Sequence, residues 1–290
     1  MPVRRAVLAL LFVAAACGGS SDSQSLTTSP PATATAAGSA EAFAVIASSD
    51  MAVGRERLLL ALAGPGNQRL GGPDVAVSVE VFPADVPGAV QEIDADWIWA
   101  VPGVSGLYRG SLEFDRAGTW VARVTAEGAV LTEVPFDVKE APFTVAVGSP
   151  APRSVTPIAA EVAALAEITT DPEPDPAFYA LSVADAVGDG KPTVVIFSTP
   201  AFCQTAICGP TLDVVKSAAA GLEDVDFIHV EVYEGMTEPG FVPDPAHLSP
   251  AVIEWGLPSE PWVFVIDASG KVAARFEGVV AAEELLAALS

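Results

Sequence analysis

The chain is poor in basic residues and histidine, and each shortage excludes a class of function. Only 14 lysine and arginine residues stand against 37 aspartate and glutamate residues, which gives a formal net charge of −23. A surface of that sign repels phosphate backbones and anionic headgroups, so nucleic acid is not expected as a partner. The chain has two histidines, and its sequence contains no dense metal-ligand cluster, no glycine-rich nucleotide loop and no Ser-His-Asp order. We therefore expect neither a metal nor an organic cofactor.

Long hydrophobic runs are also absent from the sequence. The apolar run at residues 6–16 is shorter than the roughly 20 residues that a membrane-spanning helix needs. It follows Arg4 and Arg5 and ends in small residues directly before Cys17. This layout is typical of a cleaved export signal. The sequence thus predicts an exported protein.

The segment from Ala14 to Cys17 resembles the lipobox of bacterial lipoproteins, although Ala14 stands where leucine is usual. The resemblance implies that residues 1–17 are a lipoprotein signal peptide and that Cys17 receives lipid. It places the protein on the extracytoplasmic face of the cell membrane, held there by its lipid anchor. An ordinary secretory peptide is the alternative. Residues 18–40 contain no aromatic residue, lysine or arginine, which is the composition of a disordered tether.

Residues 41–147 contain short runs of alternating apolar and polar residues, such as DVAVSVEVF and GTWVARVTA, separated by turn residues. Such alternation predicts a β-sandwich domain. The GLY motif at 106–108, Phe114 and the GTW motif at 118–120 resemble the immunoglobulin-like domains of exported bacterial proteins, including the YtkA-like modules. In this interpretation the aromatic residues form the core of the sandwich.

A proline-rich boundary at 148–152 precedes a second pattern. Thr156 and Pro157 resemble the start of a helix that would run through IAAEVAALAEI. The continuous run PTVVIF predicts a strand buried on both faces, and strands at DFIHVEVY, WVFVID and VAARFEG follow, with helices between and after them. The order β-α-β-α-β-β-α predicts an α/β domain over residues 148–290.

Three local features of that domain resemble the thioredoxin fold. They are the run FSTPAFC that ends at Cys203, the pair Glu260-Pro261 before WVFVID, and the hairpin DASGK. The last two are most similar to the extracytoplasmic TlpA-like branch. The resemblance implies a thioredoxin-like α/β fold, a cis bond before Pro261, and a redox role for Cys203, Cys208 and Pro261.

The spacing of the cysteines differs from that family, because four residues rather than two separate Cys203 from Cys208. Residues five apart in a regular helix are about 7.5 Å apart along its axis, beyond the reach of a disulfide. At least one cysteine must therefore lie outside the helix, whose start we predict near Pro210. The position of Cys203, after a strand and facing a helix N-terminus, favours its thiolate. We expect Cys203 to be the nucleophile and Cys208 the resolving cysteine.

The sequence thus predicts a membrane-anchored thiol-disulfide oxidoreductase that acts on exported thiol or disulfide proteins and exchanges electrons with an unknown redox partner. Three alternatives stay open. A structural disulfide in a non-catalytic binding lipoprotein is the first. Peroxidase chemistry is the second, because Thr199-Pro200 and the four-residue cysteine spacing resemble some peroxiredoxins. The third is copper handling similar to SCO-type proteins, with His247 as the extra ligand, because His229 lies inside the predicted strand FIHVEVY.

Overall fold

The computed structural model describes residues 42–86, 90–131 and 133–290. The predicted signal peptide, the lipidated Cys17 and the tether at 18–40 lie outside these residues. The strands of the first part are β1 (Phe43–Ile46), β2 (Gly54–Gly64), β3 (Gln68–Leu70), β4 (Val77–Pro83), β5 (Gln91–Val101), β6 (Ser105–Phe114), β7 (Gly118–Ala126), β8 (Ala129–Val130) and β9 (Val134–Val138). The second part contains α1 (Val183–Ala186), β10 (Thr193–Ser198), α2 (Cys208–Ala219), β11 (Asp226–Glu231), α3 (Pro250–Glu254), β12 (Trp262–Ile266), β13 (Val272–Glu277) and α4 (Ala282–Ala288).

The strands β1 to β9 form one antiparallel sheet, whose main order is β1-β2-β6-β5-β4-β7-β8. Strand β5 explains why there is one sheet and not two. Its first half, from Gln91 to Ala95, pairs with β4, whereas its second half, from Asp96 onward, pairs with β6. Because β5 pairs with β4 along one half and with β6 along the other, the hydrogen bonding is continuous through the bend in the sheet. The strands therefore form one curled sheet. A bridge between Ala52 and Lys139 brings its far edges together.

The concave face of this curled sheet holds its own hydrophobic core. The alternating residues Val77, Val79 and Val81 of β4 are buried, as the period of two in the sequence predicts. The aromatic residues singled out in the sequence are also buried, with Phe114 edge-on to Trp120 at a centroid distance of 5.0 Å. Their interpretation as core residues is confirmed.

The second part is built on a four-stranded sheet of order β11-β10-β12-β13. Strand β10 is parallel to β11 and antiparallel to β12. Every residue of β10 is buried, because one face packs on a cluster around Trp255 and Phe264 and the other packs on α2 and α4. The cysteine loop begins at the carboxyl end of this central strand, which is buried on both faces.

The fold class predicted from the sequence, an immunoglobulin-like sandwich followed by an α/β thioredoxin-like domain, is wrong. Strands make up 37% of the structure and helices 18%, so the molecule is mainly β. The predicted sandwich is a single curled sheet because β5 pairs on both sides of the bend. Within the described ranges, α2 alone is a helix longer than seven residues.

The missing helical content has a local cause as well. The helix predicted through IAAEVAALAEI is replaced by two short 3₁₀ turns, Ala159–Glu161 and Leu165–Glu167, with extended residues between them. Thr156 does not cap a helix there. Its hydroxyl accepts a hydrogen bond from Val183 N at 3.1 Å, and its amide donates to Ser182 Oγ at 2.9 Å. These tertiary bonds outweigh the helical propensity of the alanine-rich run.

The two sheets pack against each other within one compact unit, and ion pairs line the contact. Arg275 of β13 donates to Asp50 Oδ2 at 2.7 Å and to Glu56 Oε1 at 2.6 Å. Arg57 of β2 donates two hydrogen bonds to Glu284 of α4, at 2.7 and 2.8 Å. The contact therefore fixes the curled sheet beside the cysteine loop. None of the helices in the described part of the chain has the length and apolar character to span a membrane.

Candidate functional site: a cysteine pair at a helix N-terminus

Cys203 lies in the loop that connects β10 to α2 and is partly exposed. Its Sγ atom accepts a hydrogen bond from the backbone amide of Cys208, at 3.3 Å, and lies 3.3 Å from Thr205 Oγ1. Ala206 adopts a left-handed conformation with φ near 60°, which non-glycine residues rarely occupy. The loop thus wraps around Cys203 Sγ and surrounds the sulfur with donors.

The hydrogen bonds stabilise the Cys203 thiolate. The thiol of Cys208, which donates to Cys203, makes the largest contribution to lowering the pKa of Cys203 to about 5. Burial opposes this effect, while Thr205 and the backbone amides of Cys208 and Ile207 add to it. A thiol with such a pKa is ionised at neutral pH, and the thiolate is the reactive form of cysteine.

Cys208 has the opposite environment. It is fully buried and is the first residue of α2, two residues before the helix start predicted at Pro210. The hydrogen bond to Cys203 and burial both raise the pKa of Cys208 far above its usual range. Both cysteines are free thiols in this structure. One exposed, ionised sulfur therefore touches one buried, protonated sulfur.

Glu260 and Pro261 border the cysteine pair on a second side. The peptide bond between them is cis, as the sequence resemblance implied. Pro261 precedes β12, whose first residue pairs with Phe197 near the end of β10. The carboxyl group of Glu260 has a raised pKa, chiefly because of burial and also because of the charge on Cys203. The redox role assigned to Pro261 stays a prediction.

Aromatic side chains cover a third side of the loop. Phe202, directly before Cys203, packs against Phe241 at a centroid distance of 5.2 Å, and Phe241 packs against His247 at the same distance. His247 Nδ1 lies 2.8 Å from Asp244 Oδ1. In residues 42–86, 90–131 and 133–290, no three His, Cys, Asp or Glu side chains are grouped so as to hold a metal ion. The geometry thus gives no support to a copper site made with His247.

His229, the other histidine, lies inside the protein on β11. Its Nε2 atom is 3.1 Å from the carbonyl oxygen of Ser198, which only accepts, so Nε2 carries the proton. Its Nδ1 atom then accepts from the Tyr179 hydroxyl at 2.7 Å. Burial lowers the pKa of His229 to about 4. The imidazole ring is therefore uncharged, and its hydrogen bonds link the end of β10 to the segment that contains Tyr179.

The buried neutral histidine should make stability fall in mild acid. The unfolded chain gains a proton at His229 near pH 6.5 but the folded chain only near pH 4, so acid favours unfolding across that window. Between pH 7 and 5.5 we expect a loss of about 1 kcal/mol in the free energy of unfolding. Urea titrations of the parent and of His229→Gln across this pH range measure the loss. In the variant the free energy of unfolding should depend less on pH, because the contribution of His229 is gone. His247→Gln, at a half-buried position in the 3₁₀ turn Pro245–His247, should keep the pH dependence of the parent. Equal pH dependence in the parent and in His229→Gln would contradict the assignment.

Sequence reasoning located both cysteines and Pro261 but missed the groups that tune them. The sequence predicts neither Thr205 nor the backbone amide of Ile207 as a contact of Cys203, and it marks Glu260 only as the neighbour of a proline. The one feature of the sequence that indicates a role for Thr205 is that it is a polar residue between the two cysteines. The placement of Glu260 depends on the pairing of β10 with β12, which the linear sequence does not reveal.

Comparisons with known proteins do not place the chain in a family. No family model matches the chain, and none of the curated proteins does. Among solved structures, it is similar to the crystal structure of the Lin-41 filamin domain, with 14% sequence identity and a TM-score of 0.23 over 33% of this chain and 92% of that one. A likeness at that level carries no argument about fold or function.

Proposed function

We propose that the protein is an extracytoplasmic, membrane-anchored thiol-disulfide oxidoreductase that acts on exported proteins through Cys203 and Cys208. The observation that carries the proposal is the hydrogen bonding of Cys203 Sγ by Thr205 and by the amide and thiol of Cys208. A partly exposed sulfur held as a thiolate beside a buried protonated thiol is what a nucleophile and a resolving group require. The anchoring rests on the lipobox-like residues before Cys17.

The exchange proceeds in two balanced steps. The Cys203 thiolate attacks one sulfur of a partner disulfide, which forms a Cys203–partner bond and releases the other partner sulfur as a thiolate that takes up a proton. Cys208 then loses its proton and attacks Cys203 Sγ, which releases the second partner sulfur. The partner gains two electrons and Cys203–Cys208 becomes a disulfide. The same steps in reverse oxidise a partner dithiol.

The serious alternative is a structural disulfide in a binding protein, which the burial of Cys208 favours. The burial of Cys208 is equally compatible with a resolving cysteine. The two functions differ in reactivity, because a structural disulfide would not undergo exchange in the folded state. Exposure of Cys203 and its stabilised thiolate favour exchange.

The reduction potential of the Cys203–Cys208 pair separates the two functions. We expect a reversible potential between roughly −120 and −270 mV in a glutathione titration followed by thiol labelling, because exchange catalysts lie in that range. A potential below roughly −300 mV, or a pair that reacts only after unfolding, would assign the cysteines to structure. A Cys203→Ser/Cys208→Ser variant gives the labelling background.

A further inference from the structure

A groove of about 550 Å³ lies between the curled sheet and the cysteine loop. One wall comes from β5, β6 and their connection, and includes Trp99, Val104 and Leu107. The other wall contains Thr205 and Glu260, together with residues that neighbour them. The volume falls in the range of pockets that bind ligands or side chains, about 300 to 1,000 Å³. The groove exists only because the two sheets are joined.

The groove borders the loop that carries the reactive sulfur, because two residues that contact this sulfur also line the groove. Thr205, which belongs to its wall, lies 3.3 Å from Cys203 Sγ through its hydroxyl oxygen. Ile207 is also part of the wall, and its backbone amide contributes to the hydrogen bonding of the same sulfur. A chain segment lying in the groove would therefore present its own sulfur to Cys203.

The lining is apolar and aromatic on the sheet side. Trp99 is 41% exposed and Val104 is 70% exposed, although both are large hydrophobic residues. Trp97 supports Trp99 edge-on, with a centroid distance of 5.4 Å. An exposed tryptophan held by a second one is a surface suited to an apolar side chain of a partner.

The lining is acidic on the cysteine side. Glu260 has neither a hydrogen bond nor an ion pair from its carboxylate to any described residue. Glu277 also lines the groove, but its carboxylate accepts hydrogen bonds from Ser49 and Ser259. Arg69 of β3 is a cation in the same lining. The unpaired carboxylate beside Cys203 is therefore complementary to a lysine or arginine near the partner's cysteine.

We propose that this groove holds an extended segment of the exported protein that exchanges disulfides with Cys203. The segment places a large apolar side chain on Trp99 and a basic side chain beside Glu260. The curled sheet is thus the partner-recognition half of the enzyme, and the ion pairs between the sheets hold that half in place. This inference rests on the proposed function and adds a substrate class to it.

The test measures the first exchange step in the Cys208→Ser variant, which stops at the mixed disulfide. Two short peptides, each with one cysteine activated as a disulfide with thionitrobenzoate, serve as probes. One has phenylalanine and lysine beside the cysteine, and the other has serine and glutamate there. Oxidised glutathione serves as a small disulfide probe that is too short to extend along the groove. We expect the first peptide to react about tenfold faster than the second.

Two pairs of substitutions in the same background assign that preference to the groove. Trp99→Ser should reduce the preference for the first peptide, because its phenylalanine loses a partner, whereas Ile253→Ser, at another exposed apolar residue, should not. Glu260→Lys should also reduce that preference, because it repels the lysine of the first peptide and attracts the glutamate of the second, whereas Glu140→Lys, with the same change of charge elsewhere, should leave it intact.

Two results overturn the inference, and they are distinguishable. Equal rates for both peptides, or a preference that survives both Trp99→Ser and Glu260→Lys, with oxidised glutathione still reacting, would mean that exchange does not use the groove. No reaction with any of the three probes would contradict the proposed function itself, and the groove proposal with it.

Discussion

Replacing Cys203 with serine should abolish thiol-disulfide exchange. The remaining thiol, Cys208, is buried, and burial alone still raises its pKa without the hydrogen bond to Cys203, so little of it is thiolate at neutral pH and it is shielded from a partner disulfide. Each pKa unit above the ambient pH lowers the thiolate fraction tenfold, and we expect the rate to fall at least about a hundredfold. Stopped-flow reduction of oxidised glutathione measures it. In the parent protein the rate of the first step should be half-maximal near pH 5, the pKa of Cys203.

Cys208→Ser is the matched control, because it removes one sulfur from the same pair. It should keep the first step and accumulate the mixed disulfide with Cys203, visible as a mass increase of one glutathione moiety. Equal loss of the first step in both variants would contradict the division of roles. So would a Cys203→Ser variant that reacts as fast as the parent.

Replacing Arg275 with methionine should destabilise the protein by about 3 to 5 kcal/mol. The guanidinium group contacts Asp50, Glu56 and Thr144 and is only 6% exposed. Burial raises the pKa of Asp50, but the hydrogen bonds from Phe143 and Thr144 and the charge of Arg275 together outweigh it, so the pKa is lowered. Without Arg275, an ionised carboxylate stays buried with a partly exposed lysine as its remaining cation. Urea unfolding followed by circular dichroism measures the loss.

Arg116→Met makes the same change at an exposed ion pair. Arg116 and Asp85 are 42% and 79% exposed, and such pairs contribute about 0 to 1 kcal/mol. A similar small loss for Arg275→Met would show that the contact between the sheets does not depend on its ionic centre.

The sequence revealed the local features of the site but not the assembly around it. The run PTVVIF predicted a buried strand followed by the loop that contains Cys203, because strands buried on both faces are continuous runs of β-branched and other apolar residues. The curl of the first sheet was not predictable, since it depends on β5 changing partners between Ala95 and Asp96. The helix predicted after Thr156 failed because its capping group bonds to residues more than 25 positions away. Contacts between distant positions, such as Arg275 with Asp50, leave no periodic signal.

The hydrogen bonds around Cys203 also affect which redox state of the protein is favoured. The amide of Cys208 and the hydroxyl of Thr205 stabilise a negative charge, and that charge exists only when the cysteines are reduced. A disulfide sulfur carries no charge, so the same hydrogen-bond donors stabilise it only weakly. Stabilising the reduced form makes the disulfide a stronger oxidant. The loop that prepares Cys203 for attack thus also favours the reduced cysteine pair, and it makes the Cys203–Cys208 disulfide, when that bond forms, a ready acceptor of electrons.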